Sequence, residues 1–227
     1  MTSSAALRRQ PPAGPVVFDC DGVLLDTEAA WTRAYTSLFA RHRTPFGARQ
    51  RQALLGRSLD AVGWLLEEFL DQPGHADQLA AQALRLARAE LRHGAKLLPG
   101  AADLVSDLRG HRPLGVASNA ARRHLLGLLK DAGLADAFEV IVGGDDVQRP
   151  KPAPDLYLEA CRHLDADPAA TIAIEDSPAG ARSARTAGLY VIAIATAPQA
   201  ILDADLLATS LATTSIRTAL RLPPTPP

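Results

Sequence analysis

Two aspartates that directly follow a short hydrophobic run are the first candidates for chemistry in this sequence. Val16–Phe18 is apolar, and Asp19, Cys20 and Asp21 come next. Side chains two residues apart in an extended chain point the same way, so both carboxylates can reach one site. Like charges this close repel and raise the pKa of one partner, a cost that proteins accept where a cation or a reaction uses the pair. A calcium-binding loop can also begin this way, but residues 23–25 are apolar where further oxygen ligands would be needed.

A second acidic pair, Glu175 and Asp176, follows another apolar run. Asp176 or Ser177 could cap the helix predicted to begin after them, yet capping does not explain two adjacent acids. Together with Asp19, these carboxylates predict an all-oxygen site. Such a site suits a Mg²⁺ ion that keeps some waters and binds a phosphate oxygen.

A hydroxyl, an amide and an ammonium group complete the set. Ser118 and Asn119 end a third apolar stretch, where they could cap the next helix or hold phosphate oxygens. A lone lysine is ordinarily a solvated surface charge, but Lys151 stands between two prolines that restrict its loop. An ammonium held there would offset phosphate charge. Together these groups predict phosphoryl transfer. One carboxylate would be the nucleophile and a second would carry the proton. Mg²⁺, the hydroxyl and the ammonium would surround the phosphoryl group and stabilise its charge.

These groups are positioned by a predicted alternation of strands and helices. Strands are predicted at 16–18, 113–117, 140–142, 171–174 and 190–194, the last one ending the sheet, and helices at 101–108, 122–132, 156–164 and 179–187. Such alternation predicts an α/β fold with a parallel sheet covered on both faces. Ligands in these folds bind beyond the carboxyl ends of the strands, where Asp19, Ser118 and Asp176 are all predicted to lie.

The segment from residue 28 to about residue 93 has a different pattern. Apolar residues, Trp31 among them, recur there at helical spacing in three runs, and no strand-like alternation appears. We therefore expect an all-helical unit between the first acidic motif and the rest of the sheet.

Composition and charge argue against several other classes of protein. The 227 residues allow one large domain or a core with a smaller insert, and 47% hydrophobic with 22% charged residues is ordinary for a globular protein. A net charge of -1 gives no field that would attract nucleic acid or a membrane surface. No apolar stretch approaches the roughly 20 residues of a membrane span. Cys20 and Cys161 form no metal-ligand pattern, so we expect reduced thiols in a cytoplasmic protein, with Cys20 pointing into the core.

Four motifs in order resemble those of the haloacid dehalogenase superfamily. They are DCDGVLLDT, VASNA, RPKPAPD and IEDSPAG, and the resemblance covers nearly all of residues 16–208. It implies a Rossmann-like core with a helical cap inserted just after the first motif. Accordingly, residues 16–27 and 97–222 are predicted to form the core and residues 28–96 the cap. A disordered leader (1–15) and a loose tail (223–227) are expected outside them.

The resemblance also implies a role for each motif residue. Asp19 would be the nucleophile that becomes an aspartyl phosphate. Asp21 would protonate the leaving oxygen and then activate water, while its backbone carbonyl binds Mg²⁺. The remaining motif residues would hold the phosphate (Ser118, Asn119 and Lys151) or complete the Mg²⁺ site with Asp19 (Glu175 and Asp176). True dehalogenases in the superfamily lack an aspartate at the position of Asp21, so dehalogenation is not expected.

Within the superfamily, the chain most resembles β-phosphoglucomutases and sugar-phosphate phosphatases. The mutases carry a histidine at the position of Trp31 and a Lys-Gly-x-Ser-Arg cap loop where residues 55–59 here read LGRSL. Because a mutase must grip a second phosphate, the loss of these cations favours a phosphatase that acts on a small phosphorylated metabolite, most naturally a sugar phosphate. Trp31 and Arg57 are predicted substrate contacts, although Trp31 could equally be a core residue of its helix. A mutase and a non-catalytic binding protein on the same fold are the alternatives.

Overall fold

A computed structural model describes residues 9–54, 57–91, 94–195 and 202–223 of the chain. Residues 1–8 of the predicted leader and 224–227 of the predicted tail lie outside these described residues, as do Leu55 and Gly56 of the predicted cap loop. The expectations for those residues stay predictions.

Strands and helices follow each other in the predicted α/β order. The strands are β1 (Val16–Phe18), β2 (Leu25–Asp26), β3 (Lys96–Leu97), β4 (Leu114–Ala117), β5 (Val140–Val142), β6 (Ile172–Glu175), β7 (Tyr190–Ile194) and β8 (Leu206–Ala208). The helices are α1 (Glu28–Arg41), α2 (Ala48–Leu54), α3 (Leu59–Leu70), α4 (Ala76–Glu90), α5 (Ala101–Leu108), α6 (Arg122–Asp131), α7 (Asp155–His163), α8 (Pro178–Thr186) and α9 (Thr214–Ala219). Six strands form one parallel sheet in the order β5-β4-β1-β6-β7-β8, which confirms the predicted Rossmann-like architecture.

The sheet is one strand wider than the sequence predicts. The prediction that residues 190–194 form the last strand is wrong, because β8 pairs in parallel with β7 beyond it. β8 is only three residues long, and its middle residue, Leu207, is 50% exposed. A three-residue apolar stretch does not by itself distinguish a strand from a loop, and no helix or motif after β8 marked it as a strand.

Alternation along the central strand sends side chains to both faces of the sheet. Val16 and Phe18 of β1 pack in one buried cluster with α5, α6 and α9, whereas Val17 packs in another with α7 and α8. Cys20 is fully buried in the first cluster, as the alternation predicts. Since helices cover both faces, the carboxyl ends of the strands are where this architecture offers room to a ligand.

Helices α1 to α4 form a separate helical unit, the cap, with its own buried cluster built around Leu38, Phe39 and Leu66. The chain enters and leaves the cap through β2 and β3, which pair antiparallel and match Leu25 with Leu97. The exact domain bounds given above stay predictions. None of the described helices is both long and apolar enough to span a bilayer.

Candidate active site

The ends of three neighbouring strands bring the predicted chemical groups together. Asp19 follows β1, Ser118 follows β4 and Asp176 follows β6, and these strands are adjacent in the sheet. The backbone continues the strand pairing up to this edge, because Asp19 N donates to Ile174 O at 2.9 Å and Ser118 N donates to Val142 O at 3.1 Å. The side chains therefore start from rigid positions on one rim of the sheet.

Lys151 is a buried cation and not the surface charge that an isolated lysine usually is. Its Nζ donates to Asp19 Oδ1 at 2.6 Å, to Glu175 Oε1 at 2.6 Å and to the carbonyl of Ala117 at 2.7 Å. Burial alone would lower the pKa of Lys151, but the carboxylates of Asp19 and Glu175 raise it above its ordinary value. Lys151 is therefore a permanent positive charge directly beside the predicted nucleophile.

Asn119 holds the backbone of the lysine loop. Its Oδ1 accepts from Lys151 N at 2.8 Å, and its Nδ2 donates to Lys151 O at 3.3 Å. These two bonds fix the distance between the loop after β5 and the end of β4. A direct contact between Asn119 and phosphate stays a prediction.

Three carboxylates gather where a metal ion was predicted. Oxygens of Asp19, Glu175 and Asp176 lie within 4.8 Å of one another, close to the roughly 4 Å that separates opposite ligands around a Mg²⁺ with bonds near 2.1 Å. Burial and the charges of Glu175 and Asp19 raise the pKa of Asp176 well above its usual range. The Asp176 carboxylate makes no hydrogen bond or ion pair with any described residue. An unsatisfied acid among like charges is the donor set that a divalent cation fits.

A glycine allows this close approach of the first motif to Asp176. Gly22 has a φ of 80°, in the left-handed region, and a Cβ at this position would overlap the Asp176 carboxylate. Glycine is therefore required after Asp21 for both backbone conformation and space.

Glu175 is fully buried and is held by donors on both of its oxygens. Oε1 accepts from Lys151 and from the hydroxyl of Tyr157 at 2.9 Å, while Oε2 accepts from the N–H groups of Asp176 and Ser177 and from the Ser177 hydroxyl. Ser177 also caps α8 through a bond from Gly180 N, so of the two predicted cap residues it is Ser177 that caps. Its many donors make Glu175 a support for Lys151 as well as a member of the acidic cluster.

Asp21 sits in a different environment from Asp19. Its Oδ1 accepts from the Thr27 hydroxyl at 2.5 Å and its Oδ2 from the Ser118 hydroxyl at 3.3 Å, and Asp21 is not part of the acidic cluster. Burial raises the pKa of Asp19 to about 7, an effect that the positive charge of Lys151 reduces. The two carboxylates thus differ in their neighbours, as two different roles in one reaction require. Ser118 does not cap α6, because Ala121 occupies the cap position.

A cavity of about 390 Å³ joins these groups to the cap. Its core side carries Asp19, Asp21, Ser118, Asn119, Lys151 and Asp176, and its cap side carries the predicted contacts Trp31 and Arg57 together with Leu59. Trp31 is both a cavity residue and a core residue, since it packs against the cap cluster. Arg57 is exposed, and its Nε donates to Ala53 O at 3.2 Å.

Several residues at or near the cavity were not singled out from the sequence as site residues, and four of them carry polar groups of interest. Tyr157 supports Glu175 from α7, and Tyr35, Arg88 and His124 line the cavity. A tyrosine or histidine at helical spacing is typical of a core or surface position. One signal could have drawn attention to Tyr157: the hydroxyl of a buried tyrosine needs a hydrogen-bond partner. The sequence does not identify that partner.

The sequence matches the family model described as haloacid dehalogenase-like hydrolase over residues 16–188. That span contains all four motifs and all nine predicted site residues. The chain belongs to the haloacid dehalogenase-like hydrolase family. The resemblance on which the predicted roles depend is therefore confirmed.

Named members of this hydrolase family that resemble the chain include two phosphatases. Validoxylamine A 7'-phosphate phosphatase of Streptomyces hygroscopicus subsp. limoneus is 31% identical over 195 residues, 84% of this chain and 91% of that protein. Fructose-1-phosphate phosphatase of Escherichia coli (strain K12) is 27% identical over 181 residues, 78% of this chain and 94% of that protein.

A mutase is among the solved structures of the same hydrolase fold. β-Phosphoglucomutase from Clostridium difficile superposes with a TM-score of 0.78 and covers 91% of this chain and 96% of its own. Because the two sequences are only 20% identical, this likeness shows the fold and carries no argument about the reaction.

Proposed function

We propose that this chain is a phosphatase that hydrolyses the phosphate monoester of a small metabolite through a phosphorylated Asp19. The observation that carries the proposal is the buried ion pair between Lys151 and Asp19, with Asp21 and Asp176 beside it at the end of a cavity. It combines a positioned nucleophile, a fixed cation and a second acid at the place where the fold binds ligands.

In the proposed reaction, a carboxylate oxygen of Asp19 attacks the phosphorus of the ester. An Asp19–phosphorus bond forms while the bond to the ester oxygen breaks, and Asp21 donates a proton to that leaving oxygen. Asp21, now ionised, takes a proton from a water molecule that attacks the same phosphorus. The bond between the Asp19 oxygen and phosphorus breaks as water adds, inorganic phosphate leaves, Asp19 is again a free carboxylate and Asp21 again carries its proton.

Lys151 and Ser118 stabilise the phosphoryl group during both steps. The ammonium of Lys151 remains charged throughout, because its acidic partners hold the proton on it. The Ser118 hydroxyl, within 3.3 Å of Asp21, is placed to donate to a phosphoryl oxygen once substrate is bound.

Mg²⁺ is the proposed cofactor, held by Asp19, Asp176 and the backbone carbonyl of Asp21, with Glu175 completing the site. When bound, it would neutralise charge on the phosphoryl oxygens and favour the ionised form of Asp19. Without it, burial leaves Asp19 with a raised pKa and Asp176 with no partner among the described residues.

A phosphatase is favoured over a mutase by the cap side of the cavity. Leu59 lies there at the second position where the mutase pattern has a cation, and Trp31 lies at the position of its histidine. The cavity still has positive charge, because Arg51, Arg57 and Arg88 also line it. The mutase reaction is therefore measured directly in the assay below.

A sugar phosphate is the proposed substrate class. One relative is named for fructose 1-phosphate and another for the phosphate of validoxylamine A, and the chain covers more than nine tenths of each. A small polyhydroxylated phosphate ester also fits a cavity of about 390 Å³.

The test follows β-glucose 1-phosphate with Mg²⁺ and a trace of the 1,6-bisphosphate, together with a panel of sugar phosphates. Inorganic phosphate and glucose 6-phosphate are measured in the same reactions. Phosphate release without glucose 6-phosphate supports the proposal, and the ranking of the panel then identifies the preferred ester.

Two outcomes would overturn the proposal. Glucose 6-phosphate without net phosphate means a mutase, and the argument from Trp31 and Leu59 is then wrong. If no ester is turned over, and Asp19→Asn binds the sugar phosphates as weakly as the wild type does, the chain is a binding protein on this fold.

A further inference from the structure

Tyr35 is a buried cap residue whose hydroxyl has no partner among the residues that the structure describes. The residue is 6% exposed and packs in the cap cluster, yet it also lines the cavity. Its hydroxyl makes no hydrogen bond with any described residue. The Tyr35 hydroxyl is not among the fully enclosed unpartnered polar atoms of the described residues, so within the cavity it is open to water or to a ligand.

Tyr35 lines the same cavity as Asp19 and Asp21. Burial raises the pKa of Tyr35, and the negative charge of Asp21 raises it further. Asp21 is not its hydrogen-bond partner, because the Asp21 oxygens accept from Thr27 and Ser118. A substrate whose phosphate lies at Asp19 would extend the part attached to its leaving oxygen into the cavity that Tyr35 lines.

Trp31 provides an apolar surface beside this hydroxyl. The two rings are 5.5 Å apart between centroids with an interplanar angle of 31°, one helical turn apart on α1. An aromatic face next to a free hydrogen-bonding group suits a ligand with C–H faces and hydroxyl groups, which is the chemistry of a polyol or sugar ring.

We propose that the Tyr35 hydroxyl is a specificity-determining group that hydrogen-bonds a hydroxyl of the leaving group, while Trp31 packs against its carbon skeleton. This inference rests on the proposed phosphatase activity and narrows its substrates to polyhydroxylated esters. Tyr35 takes no part in the bond-breaking steps. It selects substrates because a bound ester without hydroxyls would displace water from the phenol without replacing its hydrogen bond.

The test compares Tyr35→Phe with the wild type on two esters. One is the sugar phosphate that ranks first in the panel, and the other is phenyl phosphate, which has no hydroxyl for Tyr35 to bind. The expected result is an approximately 3- to 10-fold fall in kcat/KM for the sugar phosphate, the loss of one neutral hydrogen bond, with kcat/KM for phenyl phosphate unchanged or raised. Since the hydroxyl bonds to no described residue, the thermal midpoint should stay within about a degree.

Tyr190→Phe is the matched control. The Tyr190 hydroxyl is buried without a partner among the described residues, but Tyr190 begins β7 and so lies at the amino ends of the strands, away from the carboxyl ends where the site is. Its removal should leave both esters unaffected.

Two results would overturn the inference while leaving the proposed activity intact. An equal fall on both esters would mean that Tyr35 acts on the chemistry through Asp21. No change on either would mean that the hydroxyl contacts no substrate. If the wild type releases phosphate from no ester at all, the proposed function itself fails, which is a separate outcome.

Discussion

Glu175 is the residue on which the hydrogen bonds of the site converge. Five donors reach its two oxygens, from Lys151, Tyr157, Asp176 and Ser177. A carboxylate held this way cannot rotate, so it fixes the ammonium of Lys151 against Asp19. Tyr157 makes a second contact in the site, because the centre of its ring lies 4.9 Å from Lys151 Nζ.

Tyr157→Phe is expected to lower kcat about 3- to 30-fold while leaving KM nearly unchanged. The variant keeps the ring beside Lys151 but removes one bond to a charged, buried acceptor, which also costs about 1.5–3 kcal/mol of unfolding free energy. Steady-state kinetics and urea unfolding measure the two effects. A loss of stability with kcat intact would show that Tyr157 is structural only.

At this scale, the sequence predicts the residues that share a motif but not those that support them. Asp19, Ser118, Lys151 and Asp176 were recognisable because their types suit phosphoryl transfer and each follows a predicted strand. Tyr157 was not, because its contact with Glu175 joins α7 to β6, and a tyrosine three residues after a proline is typical of any helix.

The cap, helices α1 to α4, has its own hydrophobic core. Leu66 of α3 is fully buried in the cap cluster, while Trp64 of the same helix is 68% exposed. Because this cluster contains most of the buried apolar side chains of α1 to α4 that pack together, we expect the stability of the cap to depend chiefly on it.

Leu66→Ala is expected to lower the free energy of unfolding by about 2–5 kcal/mol, through lost burial and the cavity left behind. Trp64→Ala, the control on the same helix, should stay within about 0.5 kcal/mol of the wild type. Urea unfolding followed by circular dichroism measures both. Equal effects of the two variants would contradict the assignment of α3 faces.

Elements were predictable where the local sequence marks them. β1, β5 and β7 have the predicted bounds because each is an unbroken apolar run within the alternation of strands and helices. α6 and α7, whose apolar residues recur at helical spacing, differ from the predicted bounds by about one residue. β8 and the two-residue strands β2 and β3 were not predictable, because their pairing depends on where the fold places them and not on a local pattern.

Repulsion within the acidic cluster destabilises the folded protein as a whole, and a bound cation would relieve it. Asp19, Glu175 and Asp176 lie together at the carboxyl ends of β1 and β6, with Lys151 as the single buried cation that the described residues place against them. Anything that binds the folded state and not the unfolded one stabilises the fold by mass action.

Mg²⁺ is therefore expected to raise the thermal midpoint of the wild type by several degrees at about 100 times its dissociation constant, equivalent to about 2.7 kcal/mol. Asp176→Asn, which removes one proposed ligand, should show a much smaller shift in a thermal scan at matched ionic strength. Equal shifts in both proteins would indicate a general salt effect.

The most direct test of the proposed function is phosphate release from phenyl phosphate by the wild type and by Asp19→Asn. The wild type should release phosphate with Mg²⁺ and stop when the metal is chelated. Asp19→Asn should lose at least about 1000-fold in kcat, since the nucleophile is gone, while its circular dichroism spectrum matches the wild type. Wild-type turnover by a folded Asp19→Asn would contradict a mechanism through phosphorylated Asp19.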